Sequence, residues 1–144
     1  METEKKSVTL IVAWVILLIM GLLMILGGVA SLINAYRGGG AIAGVSIQTL
    51  AQVNPDLPRT LRAQRATAAS YALSCGLLVA WISITAFRQR QKWAWYALLC
   101  SVGLGAIASM LRVPLLDHKP GSGIAEATLI ALLIALAISY RDFK

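Results

Sequence analysis

Ionisable side chains that could bind a ligand or move a proton are concentrated around residues 112–126 of this 144-residue chain. They are Arg112, Asp117, His118 and Glu126, in a chain with a single histidine. A carboxylate near a histidine can take up a proton or a metal ion. Their spacing matches no metal-ligand motif, however, and no nucleophile with an adjacent base is visible. We therefore expect no metal, no cofactor and no enzymatic activity, and we keep these residues as candidates for a polar ligand or ion site.

The same residues also have a purely structural explanation. Glu126 falls in the first turn of a predicted helix, where a negative charge is favourable. Arg112 can extend its charged head out of an apolar environment towards water, and it can pair with Glu126. His118 lies in a predicted turn beside a lysine, without a positioned partner for acid–base catalysis.

The composition indicates an integral membrane protein. Hydrophobic residues make up 58% of the chain and charged residues 13%, against roughly 45–50% and about 25% in soluble domains. The net charge is +7, but the basic residues are segregated between apolar runs, where they orient a membrane protein and contact anionic lipid headgroups. We expect membrane lipids as partners and no binding to nucleic acid.

Four apolar runs predict an all-α, antiparallel four-helix transmembrane bundle in a single domain, residues 1–144. The predicted spans cover about residues 8–36, 67–87, 93–115 and 123–140. In the first extracytoplasmic loop, residues 46–53 predict a short amphipathic helix with Ser46 as its N-cap. Asn54 and Pro55 predict that the second helix begins in water, several residues before its span.

The stretch FRQRQKWAWY, residues 87–96, predicts a tight basic hairpin between the second and third spans. Its members are expected to anchor the chain at the cytoplasmic surface, with cations in water and aromatic rings, including Phe87, at the headgroup level. The anchor consists of Arg88, Arg90, Lys92, Trp93, Trp95 and Tyr96. Tyr140 and Phe143 are expected at the same level. An even number of spans places both termini on the hairpin's side, and the basic residues next to span ends favour the cytoplasm for that side.

A second basic group precedes the second span. Arg59, Arg62 and Arg65 are three residues apart and share a slowly drifting helical face. This stripe predicts contact with lipid phosphates, and the alternative is a docking surface for an acidic protein or an anionic ligand.

Small side chains recur every four residues in three of the spans, which predicts close helix packing. The predicted packing residues are Ala72, Gly76, Ala80, Ser101, Gly105, Ser109, Ala127, Ala131 and Ala135. Cys75 and Cys100 lie inside apolar runs at different expected depths, so we expect no disulfide between them.

The segments NPDL and RQRQKWAWY carry a resemblance to small uncharacterised four-span integral membrane proteins of bacteria and archaea. These proteins have Asn/Asp-Pro before the second span and a basic hairpin leading into Trp-Ala-Trp. The resemblance implies the fold and topology for most of the chain, and it implies no activity. Small multidrug exporters also have four spans, but their mid-membrane glutamate has no counterpart here.

The sequence thus favours a non-enzymatic protein of the bacterial cytoplasmic (inner) membrane, with both termini cytoplasmic. The expected role is an accessory or scaffold subunit that associates with another membrane protein or with itself through small-residue faces. The alternative is a small oligomeric transporter or channel with a polar rim site around Glu126, Arg112 and His118.

Overall fold

The computed structural model describes residues 8–37, 41–42, 45–46, 49, 51–52, 54–111, 114–115 and 122–143. Apart from one very short β-ladder, the named elements are helical. In chain order they are α1 (Val8–Arg37), β1 (Ala41–Ile42), β2 (Val45–Ser46), α2 (Leu57–Ile82), a π-helix (Ser83–Phe87), α3 (Lys92–Met110), α4 (Ser122–Ser139) and a 3₁₀-helix (Tyr140–Phe143).

Four helical segments are long and apolar enough to cross a membrane. They are Val8–Arg37, Leu57–Phe87, Lys92–Met110 and Gly123–Phe143. The first has 30 residues, a length of about 45 Å at ~1.5 Å per residue. This exceeds the roughly 30 Å of a bilayer's hydrocarbon core. The third has 19 residues, about 28 Å by the same rise, and is close to the minimum for a crossing.

The ends of these helices follow from local residue types. The Asn54 side chain accepts a hydrogen bond from the backbone N–H of Asp56 (2.9 Å), and the Asn54 carbonyl accepts one from Leu57 (3.2 Å), so a turn precedes α2. Helix α2 therefore begins at Leu57, two residues beyond the predicted first position at Pro55. At the far end of the third span, α3 stops at Met110. Pro114 has no backbone N–H to donate to the Met110 carbonyl, and its ring crowds that carbonyl. Pro114 and Leu115 are themselves helical, and the Leu115 N–H donates to the Leu111 carbonyl (3.2 Å).

The first connection contains an antiparallel ladder that was not predicted. Ala41 pairs with Ser46 and Ile42 with Val45. The hydroxyl of Ser46 then accepts a hydrogen bond from the backbone N–H of Thr49 (3.1 Å), which is the contact expected of an N-cap. Of the predicted amphipathic helix, Thr49, Ala51 and Gln52 are helical, while residues 47, 48, 50 and 53 lie outside the described residues.

The chain divides into two compact units. The central unit is Leu22–Leu77, and the terminal unit combines Met1–Gly21 with Leu78–Lys144. In the central unit, α1 and α2 cross closely at Gly28. A Cβ added to Gly28 would lie 3.0 Å from the backbone nitrogen of Leu73 and 3.2 Å from the carbonyl oxygen of Ala69. The missing side chain of Gly28 therefore permits the two backbones to approach.

In the terminal unit, α3 packs on α4 and on the π-helix. The packed face of α3 carries residues four apart, which share one side of a helix. They are Ala94, Leu98, Val102 and Ala106, each at most 6% exposed. Leu132, Ala135 and Leu136 of α4 are equally buried, at 0–1% exposure.

Many of the described hydroxyl groups within the helices are satisfied locally. Serine and threonine side chains donate to the carbonyl four residues earlier, as in Ser83 to Val79 (2.6 Å) and Ser139 to Ala135 (2.7 Å). The same arrangement occurs at Thr67, Ser70, Thr85, Ser101 and Thr128. A hydroxyl bonded in this way needs no water, which suits a helix surrounded by hydrocarbon.

The paired glycines of α1 provide a matched test of the crossing. Alanine at Gly28 must push against the Leu73 and Ala69 backbone, whereas alanine at Gly27 would meet nothing within 4 Å. Both substitutions gain the same helix propensity, about 1 kcal/mol. Overpacking costs about 1–3 kcal/mol, so we expect Gly28→Ala to be less stable than Gly27→Ala by that amount. Thermal unfolding of both variants in one mild detergent measures the difference, and equal stability would contradict the close crossing.

Candidate functional site

Aromatic side chains join three elements at one end of the terminal unit. Phe87, the last residue of the π-helix, lies with its ring centroid 4.8 Å from that of Phe143 in the 3₁₀-helix. Trp95 in the first turn of α3 lies 6.2 Å from Tyr140 and 5.2 Å from Tyr96, edge to face in both pairs. The indole N–H of Trp95 also donates to the Leu136 carbonyl (3.1 Å). These contacts hold the start of α3 against the end of α4.

The predicted basic hairpin contains a recognisable helix-terminating motif. The N–H of Gln91 donates to the Ala86 carbonyl and the N–H of Arg90 to the Phe87 carbonyl, each at 3.0 Å. This pair of bonds is the Schellman motif, in which the residue that donates the shorter-range bond has a left-handed backbone conformation. Arg90 is that residue, with φ of 59°. Glycine usually occupies this position, because a side chain there costs roughly 1–2 kcal/mol.

The start of α1 also reaches this end of the terminal unit. The Thr9 hydroxyl donates to an Asp142 carboxylate oxygen (2.8 Å), which connects the first turn of α1 with the 3₁₀-helix. The guanidinium carbon of Arg88 lies 5.6 Å from the ring centroid of Trp14, within the range of a cation–π contact. The first turns of α1, the hairpin and the last turn of the described chain therefore lie together.

A cleft of about 190 Å³ opens beside Trp14 and is lined by Leu10, Ile11, Trp14 and Arg88. Leu10 is buried and Ile11 is 43% exposed, so the apolar wall is partly open to the surroundings. The indole nitrogen of Trp14 is buried and has no hydrogen-bond partner among the described residues. The cleft thus combines an apolar wall with a cation. We call it the Trp14 cleft.

The anchor residues divide between exposed and packed side chains. Trp93 and Tyr96 are exposed, as are Arg88 and Lys92, while Trp95 and Arg90 are half-buried. Phe87, expected at the same level, is 0% exposed and packs inside the unit against Phe143, and its depth in a membrane stays a prediction.

The other predicted site residues are only partly described. Glu126 is exposed in α4, whereas Arg112, Asp117 and His118 lie outside the described residues, so the rim cluster stays a prediction. Among the residues the structure describes, no three His, Cys, Asp or Glu side chains lie close enough to hold a metal ion. In the arginine stripe, Arg59 is exposed, and Arg62 and Arg65 are half-buried along the first turns of α2.

The small-residue stripes have different surroundings in the three helices. In α2, Ala72 is half-buried and Gly76 and Ala80 are buried; in α4, exposure falls from Ala127 through Ala131 to Ala135. In α3, Ser101 and Gly105 are exposed and Ser109 is half-buried. A Cβ at Gly105 would meet nothing within 4 Å. The stripe of α3 therefore lies outside the face that packs within the chain. Cys75 and Cys100 are free, as predicted.

Two features were not predicted from the sequence. One is the crossing point at Gly28, although Gly21, Gly28 and Ala35 are spaced by seven residues and all three are buried. A heptad spacing of small residues keeps one face towards a neighbouring helix, so this signal was available. The other is Trp14, which lies within an uninterrupted apolar run and is brought to Arg88 only by the tertiary fold.

The strained position of Arg90 provides a test of the hairpin. Arg90→Gly and Arg90→Ala both remove the guanidinium group, so their difference isolates the left-handed backbone. We expect Arg90→Gly to be more stable than Arg90→Ala by about 1 kcal/mol, because only glycine adopts a φ near 59° without a steric cost. Thermal unfolding of the two variants in the same detergent measures this, and a more stable alanine variant would exclude the motif.

Comparison with known proteins gives no function for this chain. No family model, curated protein or solved structure matches this chain. The resemblance at NPDL and RQRQKWAWY therefore stays a prediction.

Proposed function

We propose that this chain is a non-enzymatic accessory or scaffold protein of a membrane. It associates with another membrane protein or with a second copy of itself. The observation that carries the proposal is the open face of α3 around Gly105. Glycine inside a helix costs about 1 kcal/mol relative to alanine, and among the described residues no contact needs the missing side chain at this position. A helix from another molecule would use it, because glycine permits close backbone approach.

The surroundings of Gly105 fit such a contact. Ser101, one turn earlier, is exposed, and its hydroxyl is already bonded to the Ala97 carbonyl (2.7 Å), so its burial leaves no donor unsatisfied. Leu104 and Ile107 beside the stripe are 67% and 49% exposed and supply apolar area on its flank. Small residues flanked by larger apolar ones are typical of helix association in lipid.

We further propose an antiparallel bundle in the bacterial cytoplasmic membrane with both termini cytoplasmic. The antiparallel order is supported by Trp95, at the start of α3, contacting Leu136 and Tyr140 at the end of α4. The common side of the termini is supported by the Thr9–Asp142 hydrogen bond and by the Arg88–Trp14 contact. The cytoplasmic assignment rests on Arg88, Arg90 and Lys92 in a short loop.

The association test substitutes Gly105 by leucine. Tagged protein is captured from native membranes in mild detergent, and the proteins that come with it are identified and quantified. We expect Gly105→Leu to lose most of the captured partner, or of the untagged second copy, because a leucine side chain separates the backbones. The unfolding temperature should change little, since a Cβ at this site meets nothing within 4 Å inside the chain.

Cys100→Leu is the matched control. Cys100 is also exposed on α3, and five residues place it about 140° around the helix from Gly105. This variant places the same leucine side chain on α3 away from the stripe and should retain the partner. Capture of the same proteins by Gly105→Leu and wild type, or purification of a lone particle, would contradict the proposal. Loss of ion or solute flux from reconstituted vesicles on Glu126→Gln would favour the transporter alternative instead.

A further inference from the structure

The described lining of the Trp14 cleft carries one charged group, Arg88. Arg88 has its cation–π contact with Trp14 and, within the described residues, no ion pair. Asp142, a carboxylate described at this end, accepts the hydrogen bond of Thr9 and does not line the cleft. The described lining is therefore positively charged, which favours an anion as its occupant.

The dimensions of the cleft distinguish between kinds of anionic ligand. Its volume of about 190 Å³ is below the roughly 300–1,000 Å³ of sites that enclose a whole small molecule. The apolar wall of Leu10 and Ile11 adjoins the cation directly. A molecule with a negative head and an apolar chain would satisfy both parts while most of it stayed outside the cleft.

We propose that the Trp14 cleft binds one anionic phospholipid. Its phosphate lies on the Arg88 guanidinium, which can offer paired N–H donors to phosphate oxygens. The first part of an acyl chain lies along Leu10 and Ile11. Arg88 follows directly on the last residue of the second apolar segment, where a bilayer places its phosphates.

This inference goes beyond the proposed association and does not depend on it, because Gly105 and Ser101 take no part in the cleft. Loss of lipid binding would leave the capture experiment unaffected, and loss of the protein partner would leave the lipid site intact.

The experiment uses the purified full chain in bilayer discs of zwitterionic phosphatidylcholine with a minor fraction of phosphatidylglycerol. Native mass spectrometry counts the lipids retained on the protein after release from the disc. We expect wild type to retain one phosphatidylglycerol in preference to phosphatidylcholine. Arg88→Gln should reduce this retention on the order of tenfold or more, the loss expected for one charge-assisted contact.

Two further variants separate the cleft from general surface charge. Arg141→Gln removes an exposed cation of the 3₁₀-helix that does not line the cleft, and it should retain the lipid. Ile11→Trp keeps Arg88 but fills the apolar wall, and it should lose the lipid while remaining folded, because Ile11 is 43% exposed. An unfolding temperature measured for each variant verifies the fold.

Three results would overturn the site. One is equal retention of phosphatidylcholine and phosphatidylglycerol by wild type. Another is equal loss with Arg88→Gln and Arg141→Gln, which would indicate general electrostatic attraction. The third is unchanged retention by folded Ile11→Trp, or recovery of a peptide in place of a phospholipid.

Discussion

The apolar outer surface of the four long helices is the constraint on which the remaining structure depends. Each helix exposes large hydrophobic side chains, for example Leu23 at 62%, Trp81 at 70%, Leu104 at 67% and Ile124 at 75%. In water, each square ångström of such surface costs about 25 cal/mol, whereas hydrocarbon removes that cost. A hydrocarbon environment in turn requires every backbone and hydroxyl group to be bonded internally. Unbroken helices and serine and threonine hydroxyls bonded to their own helix meet this requirement.

Under this constraint, the helices pack through close approach of their backbones and through side-chain contacts at their ends. Gly28 brings two backbones together within the central unit. In the terminal unit, the Phe87–Phe143 pair and the hydrogen bond of Trp95 join elements at one end, and the Schellman motif at Arg90 turns the chain between two apolar segments. The strained backbone at Arg90 keeps a cation where glycine would be more stable, which is consistent with a role for positive charge at this end.

The sequence predicted the four helical segments because each is an apolar run bounded by charge, glycine or proline. The helix ends are set by the fold. Helix α3 ends at Met110, Pro114 and Leu115 are again helical, and the fourth segment continues through a 3₁₀-helix to Phe143. The span bounds of about 93–115 and 123–140 stay predictions. The four-residue stripes predicted packing faces in α2, α3 and α4. In the structure, Gly76 and Ala80 of α2 and Ala135 of α4 are buried. In α3, however, larger residues one position away pack within the chain. Contacts distant in sequence, such as Arg88 with Trp14, carry no local pattern and could be found only in the fold.

The central claim, that hydrocarbon surrounds the helices, can be tested at a native residue. Cys100 is exposed on the surface of α3 and lies eight residues after Lys92, about 12 Å along the helix. In a Cys75→Ser background, this single thiol is exposed to a water-soluble maleimide in reconstituted vesicles and again after solubilisation in denaturing detergent. A water-soluble maleimide does not enter hydrocarbon, so the account predicts almost no labelling in vesicles and complete labelling after solubilisation. Labelling in vesicles at the rate of a free thiol in water would contradict it.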